Sequence, residues 1–239
     1  HKIVLHLHPV EILAHLVRKN PFGNLKKLMG NSMNWGYVDY FQPGPELAMA
    51  LFNHLTSTPK VDVVLLKNHG VVIGGENIQS IRSTVQHLLL ILKNKVFGSN
   101  EEEIKKILKP EISGFSLSSD KRINQLAIDN NLLKRLRHDW SLYPDHPVFL
   151  GKNATILSED KLTIEGLNGL KIPFIFIPNY GVLENDLLTN AQRQQLLCYY
   201  NVLIRQSMDQ QLDPLCERDI DNLLNWDAEK YRQSISKLS

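Results

Sequence analysis

"VDVVLLKNHGVVIGGE" (61–76) decides how the first half of the chain is built. Its opening, "VDVVLLK" (61–67), is a nearly continuous apolar run. A strand with one wet face alternates, so an unbroken run is the signature of a strand buried on both faces. "GVVIGGE" (70–76) follows as a short strand that ends in a glycine turn. Next, "NIQSIRSTVQHLLLILKNKVF" (77–97) predicts a long helix with Asn77 as its cap. Upstream, "PELAMALFNHLTS" (45–57) predicts a helix with Glu46 in the first turn, where the helix dipole favours an acid. The stretch from Asn20 to Pro45 is punctuated by Gly, Pro and Asn and reads as loop with short elements. "KIVLHLH" (2–8) alternates and is rich in β-formers, so it reads as a strand. "PVEILAHLVRK" (9–19) continues as a helix with Pro9 at its first position.

Composition shifts after residue 97. "GSNEEEIKKILKPEISGFSLSSD" (98–120) is polar and charged, which places a domain boundary near 110. The division is thus 1–110 and 111–239. Beyond it the pattern predicts a helix at about 120–137 and strands at "PVFLG" (147–151), "KLTIEG" (161–166) and "IPFIFIP" (172–178). Helices at about 184–208 and 214–236 close the chain. Strands and helices alternate in both halves, so the class is α/β or α+β. No internal repeat or low-complexity segment is visible. A length of 239 residues allows one large domain or two small ones. The net charge of +2 gives no reason to expect nucleic acid or an anionic membrane as partner. Cys198 and Cys216 have no CxxC spacing, which argues against a disulfide framework and for reduced thiols in a cytoplasmic protein. No apolar run reaches the roughly 18 residues of a spanning helix. The chain opens without an initiator methionine or a signal peptide, so the expectation is a part of a longer protein.

The chemistry concentrates in the histidines. His6 and His8 are two apart on a strand and share a face, while Leu7 points the other way. Two imidazoles projecting together from a rigid strand can grip one divalent metal, zinc above all. Alone, an HxH pair is a common short motif. His69 strengthens it. It follows the buried strand and precedes Gly70, at a strand end of the kind that opens into ligand crevices. Gly70 permits an unusual turn or a close backbone approach. His69 joins the pair if the two strands are sheet neighbours. Three histidines then leave a position for an acid, water or substrate, as in catalytic sites. His15, His54 and His87 lie within helices and read as packing or surface residues. His138 complements a helix end, and His146 belongs to a turn beside Asp145.

These residues resemble the class II aldolase/adducin head family in three ordered places. They are the histidine pair at a strand end followed by Pro9 and a helix, "YFQPGPELA" (40–48), and "NHG" before "VVIGGE" and a long helix (68–94). The resemblance covers residues 1 to about 97; the C-terminal half looks like an extension of longer members. It implies an αβα layered domain with a mixed central sheet and helices on both faces, followed by a smaller C-terminal α/β domain. It also implies a lyase dependent on zinc or another divalent ion. Such an enzyme acts on a small sugar or hydroxyketone, with or without phosphate, through a metal-stabilised enediolate. Carried over, His6, His8 and His69 become the ligands and Tyr40 a candidate proton donor, with Tyr37 near enough to be confused with it. A homo-oligomer follows by analogy. The alternatives are a non-catalytic adducin-like interaction module, or an epimerase or dehydratase on the same site. The family's acid/base glutamate and phosphate loop lie upstream of the histidine pair, so the acid/base carboxylate is expected outside this chain. Glu11 reads as a surface acid at a helix start. "PNYGVLEND" (178–186) reads as a turn opening a helix, a weak candidate for an anion. "NWDAEKYRQ" (225–233) reads as a docking helix.

Overall fold

The computed structural model describes residues 1–58, 60–97, 112–157 and 172–227. The expected boundary near 110, the strand at 161–166 and the chain beyond 227, with most of "NWDAEKYRQ", lie outside these residues. Two compact units emerge. The first comprises His1–Lys95, Leu142–Pro144 and Asp209–Leu215. The second takes in the described residues of Val96–Ser141, Asp145–Met208 and Cys216–Ser239.

The first unit is β1 (Ile3–Leu7), α1 (Val10–Leu16), α2 (Phe22–Met29), β2 (Trp35–Val38), α3 (Pro45–Ser57), β3 (Val63–Leu66), β4 (Gly70–Gly75) and α4 (Ile78–Ile91). Its sheet has the order β1-β4-β3-β2. β4 is antiparallel to both β1 and β3, and β2 is parallel to β3. Strands β1, β2 and β3 therefore share one direction and end at the same edge. All four residues of β3 are buried, as its apolar run predicts. Val63 and Leu65 join a core with Ile12, Leu16, Leu25, Met29 and Leu88, from α1, α2 and α4. Val64 and Leu66 join a second core with Leu47, Ala50 and Leu51 of α3. Helices thus cover both faces, and the layered α/β class holds.

Local chemistry sets the ends. The Asn77 side chain accepts from Ser80 N at 2.8 Å, and Ser80 Oγ accepts from Asn77 N at 3.3 Å, a reciprocal cap for α4. That helix stops at Ile91 rather than near 97. The Asn94 amide leaves the helical ladder and donates to Glu11 Oε2 at 2.9 Å. Pro9 serves as the N-cap of α1 rather than its first residue. In the 20–45 stretch, the short elements prove to be a full helix, α2, and the strand β2.

The second unit contains β5 (Phe115–Leu117), α5 (Lys121–Ile128), α6 (Asn130–His138), α7 (Asp145–Leu150), β6 (Thr155–Ile156), β7 (Phe174–Ile177), β8 (Gly181–Asn185), α8 (Asn190–Leu203) and α9 (Glu217–Asn225). Its sheet has the order β5-β8-β7-β6. β8 is antiparallel to β5 and β7, and β6 is parallel to β7.

Three expectations are corrected here. The single helix at 120–137 is two helices. Asp129 ends the first in an extended conformation and caps the second, accepting from Asn131 N at 2.8 Å and Leu132 N at 3.0 Å. "PVFLG" is not a strand but most of α7. A short apolar run has no period that separates a strand from a buried helix, and Pro147 is tolerated because it falls in the first turn. "PNYGVLEND" does not open a helix, since Gly181–Asn185 is strand β8 and α8 begins only after Thr189. Glu184, where the helix was expected to start, is buried and accepts from Ser118 Oγ and Arg193 Nη2, both at 2.6 Å. The anion reading of that stretch falls with its helix. Among the described residues, no helix is long and apolar enough to cross a membrane.

Two histidines are locked in neutral form. His15 in α1 is 4% exposed. Its Nε2–H donates to Leu92 O at 3.1 Å and its Nδ1 accepts from Arg18 Nη1 at 3.0 Å. Burial, and then the Arg18 charge, push its pKa from 6.5 to about 4. His146, with ring centroids 4.2 Å from Trp140 and 4.5 Å from Tyr199, is pushed by burial to about 3. The unfolded chain takes up these protons near pH 6.5 and the folded chain does not. Stability is therefore fully present above about pH 6.5 and declines as pH falls towards about 4, by about 3 kcal/mol for His15 alone. Denaturation midpoints at pH 7 and pH 4.5 should show this decline. His15→Gln, which keeps one donor and one acceptor, should flatten it; an unchanged slope would remove His15 from the account.

Candidate metal centre

β1 and β4 pair antiparallel with Leu7 opposite Val71. That register carries His6 and His8, at the end of β1, to the start of β4, directly beside the β3–β4 turn. His69 sits in that turn. His6 Nε2 lies 3.0 Å from His8 Nε2 and 3.3 Å from His69 Nε2. One ligand atom from each of the three lies within 4.8 Å of the others. His6 is exposed, His8 half-buried and His69 buried. The cluster thus has a rigid floor and an open side.

The turn is held from several directions. Asn68 adopts φ of 51°, a left-handed conformation that asparagine tolerates better than most residues. Its side-chain amide donates to the carbonyls of Leu142 and Asp213, both at 2.8 Å. Its backbone N–H donates to Leu16 O at 3.3 Å, and His69 N donates to Leu66 O at 3.1 Å. Lys67, next in line, forms an ion pair with Asp213. The unusual turn thus belongs to Asn68 rather than to Gly70. Gly70 serves the close approach. A Cβ there would come within 2.4 Å of Leu7 O and 2.6 Å of His8 Cδ2.

The donor set suits a cation. His6 Nδ1 is 3.1 Å from Val71 O, a carbonyl that can only accept. The Nδ1 atom must therefore carry the proton, and Nε2 presents its lone pair to the cluster. Such a carbonyl contact is the usual device for orienting a metal-binding imidazole. Nitrogens about 2.0–2.1 Å from a tetrahedral zinc stand roughly 3.3–3.4 Å apart, close to the spacing of His6 and His69.

Tyr40 follows β2, at the same edge of the sheet, and its hydroxyl is buried. Tyr37 lies within β2, 5.4 Å from the Phe22 ring, and burial followed by the Asp39 carboxylate raises its pKa. Glu11 is committed to Asn94 through its carboxylate and its carbonyl. Glu46 is exposed at the start of α3. Among the described residues, no Asp or Glu belongs to the cluster. Sequence reasoning missed the supports supplied by Val71, Leu142 and Asp213. They act through main-chain carbonyls, which leave no side-chain signature. Asn68, a left-handed former directly before His69, was the one visible sign.

Residues 1–91 match the family described as the class II aldolase and adducin N-terminal domain. Comparison with curated proteins and with solved structures gives no match.

The steric reading of Gly70 is testable. In Gly70→Ala the new methyl meets a backbone oxygen that cannot swing aside, so β1 or the His8 ring must move. Overpacking of this kind costs about 1–3 kcal/mol. Thermal unfolding should shift down accordingly, and the His8 ring resonances should move with it. A variant as stable as the parent, with unmoved His8 signals, would show that the approach is looser than described.

Proposed function

We propose, from the membership of residues 1–91 in the class II aldolase and adducin N-terminal family and from the convergence of three imidazoles within it, that His6, His8 and His69 hold a divalent cation. The protein is then a metal-dependent lyase of aldolase type, with a small sugar or hydroxyketone as substrate. The observation that carries this reading is the meeting of three Nε2 and Nδ1 donors at one strand edge, with the His6 tautomer set by Val71 O. Zinc suits the all-nitrogen set, and other divalent ions compete for it.

The chain's residues have distinct tasks. His69 is buried and fixed by its turn, so it supplies the rigid donor. His6 and His8 close over it from β1, on the open side from which a small polar molecule enters. When bound, the cation supplies Lewis-acid stabilisation of negative charge on an oxygen beside the breaking bond. Tyr40 holds a buried hydroxyl at the same sheet edge and is the group of this chain assigned to return a proton to the product.

Two measurements check these roles. Elemental analysis of the purified protein should find about one divalent cation per chain, the count for one catalytic-type site. His69→Ala should lose most of it while circular dichroism stays unchanged, and full occupancy in the variant would remove His69 from the ligand set. On a hydroxyketone substrate found by screening, Tyr40→Phe should keep its metal and lose about 10²–10⁴-fold in turnover, the usual worth of proton transfer. Undiminished turnover in Tyr40→Phe would assign the proton to another group.

A further inference from the structure

The two sheets have one topology. Each has a central hairpin, β3–β4 or β7–β8, with an antiparallel strand added on one side and a parallel strand on the other. The likeness continues to single residues. One constant shift in residue number carries "NHGV" (68–71) onto "NYGV" (179–182). Both asparagines are left-handed, at φ of 51° for Asn68 and 62° for Asn179. Asn68 N donates to Leu16 O at 3.3 Å, and Asn179 N donates to Ala127 O at 3.0 Å. His69 N donates to Leu66 O at 3.1 Å, and Tyr180 N to Ile177 O at 3.0 Å. The same shift relates every pair. One residue further along, α4 and α8 each run for 14 residues and each opens on a reciprocal capping box.

Unrelated α/β units share sheet orders by chance. They do not share a left-handed Asn in one hairpin, bonded back to the helix that follows the first strand at a matching position. We infer that the second unit is a second copy of the first unit's fold, in which Leu117, Ser119 and Tyr180 occupy the places of His6, His8 and His69, so that the chain carries one metal centre rather than two. The inference rests on the reading of the three histidines as ligands.

Register fixes the correspondence. His6 lies opposite Val72 in β4, and Leu117 lies opposite Leu183 in β8, one residue beyond the "NYGV" match. Tyr180 is turned into its own unit's core, with Ile175, Ile177 and Leu183. Leu117 has no donor atom, and Ser119 offers only a neutral hydroxyl, a weak partner for a borderline-soft cation. The glycine survives in both copies. In both copies the glycine is closely approached: a Cβ on Gly181 would come within 2.8 Å of Asn124 Oδ1 and 3.0 Å of Leu117 Cδ1, and one on Gly70 within 2.4 Å of Leu7 O and 2.6 Å of His8 Cδ2. The second copy has also exchanged apolar contacts for polar ones. Ile73 and Ile81, both in the core of the first unit, correspond to the bonded pair Glu184 and Arg193. Leu13 corresponds to Asn124, which joins β5 to β8 by donating to Ser118 O at 2.8 Å and accepting from Val182 N at 2.9 Å.

The test is to put the histidines back. In the full chain, Leu117→His, Ser119→His and Tyr180→His are combined, with the first cluster left intact. Cobalt(II) is the probe, with the bound metal counted after dialysis and its visible bands recorded. The parent should bind one cobalt per chain and the variant two. The variant that also carries His6→Ala, His8→Ala and His69→Ala should bind one. A folded triple-histidine variant that gains no cobalt overturns the inference. A parent that binds none overturns instead the reading of the first cluster, while the six-fold variant still reports on the second. If the substitution at buried Tyr180 prevents folding, an experimental structure of the parent decides. Leu117, Ser119 and Tyr180 must then superpose on the three histidines when the first unit is laid on the second, and failure to do so ends the proposal.

Discussion

The pairing of β1 with β4 at Leu7 and Val71 is the contact on which the candidate centre depends. Without it, a strand pair of histidines and a turn histidine more than sixty residues away in sequence have no reason to meet. The pairing is possible because Gly70 has no side chain, which lets the Leu7 carbonyl and the His8 ring come close. It is worth its conformational cost because β3, beside β4, is buried on both faces and anchors two cores. Chemistry at the edge of this sheet is therefore underwritten by apolar burial at its centre.

Much of this was legible in the residues, and the legible parts share a cause. β3, β4, α3, the cap at Asn77 and the common face of His6 and His8 each follow from a short-range rule: run length, alternation, or a side chain that bonds its own backbone. The convergence of His69 with the pair was conditional in the sequence, because spacing cannot say which strands are neighbours. The failures have causes of their own. "PVFLG" was too short to carry a period, and the helix expected from about 184 begins only after Thr189, because Gly181–Asn185 pairs as a strand with Glu184 buried in it. The repeat was hidden because most matched positions differ in kind, as where Ile73 faces Glu184. What the two copies share is a φ angle and hydrogen bonds between backbone atoms, and only "N-x-G-V" shows on the surface of the sequence.

His15 and the cluster histidines illustrate how environment divides one residue type. His15 spends both ring nitrogens on Arg18 and Leu92 and is held neutral by burial. His6 spends one nitrogen on Val71 and turns the other towards its neighbours. The first arrangement consumes the imidazole as a structural connector; the second leaves it a lone pair to offer.

The first unit is not a continuous stretch of chain. The acceptors for the Asn68 side chain come from Leu142 and Asp213, and the strand-like contacts of Arg18 and Val17 are made by Leu212 and Asp213. A chain emerging from the ribosome, amino end first, makes β1, β3 and β4 early. It cannot complete the support of the histidine turn until residue 213 has been synthesised. The cluster is thus assembled in two stages separated by more than a hundred residues of translation. Its full rigidity arrives only after residues 142 and 213 have joined it, long after the three histidines themselves have been made.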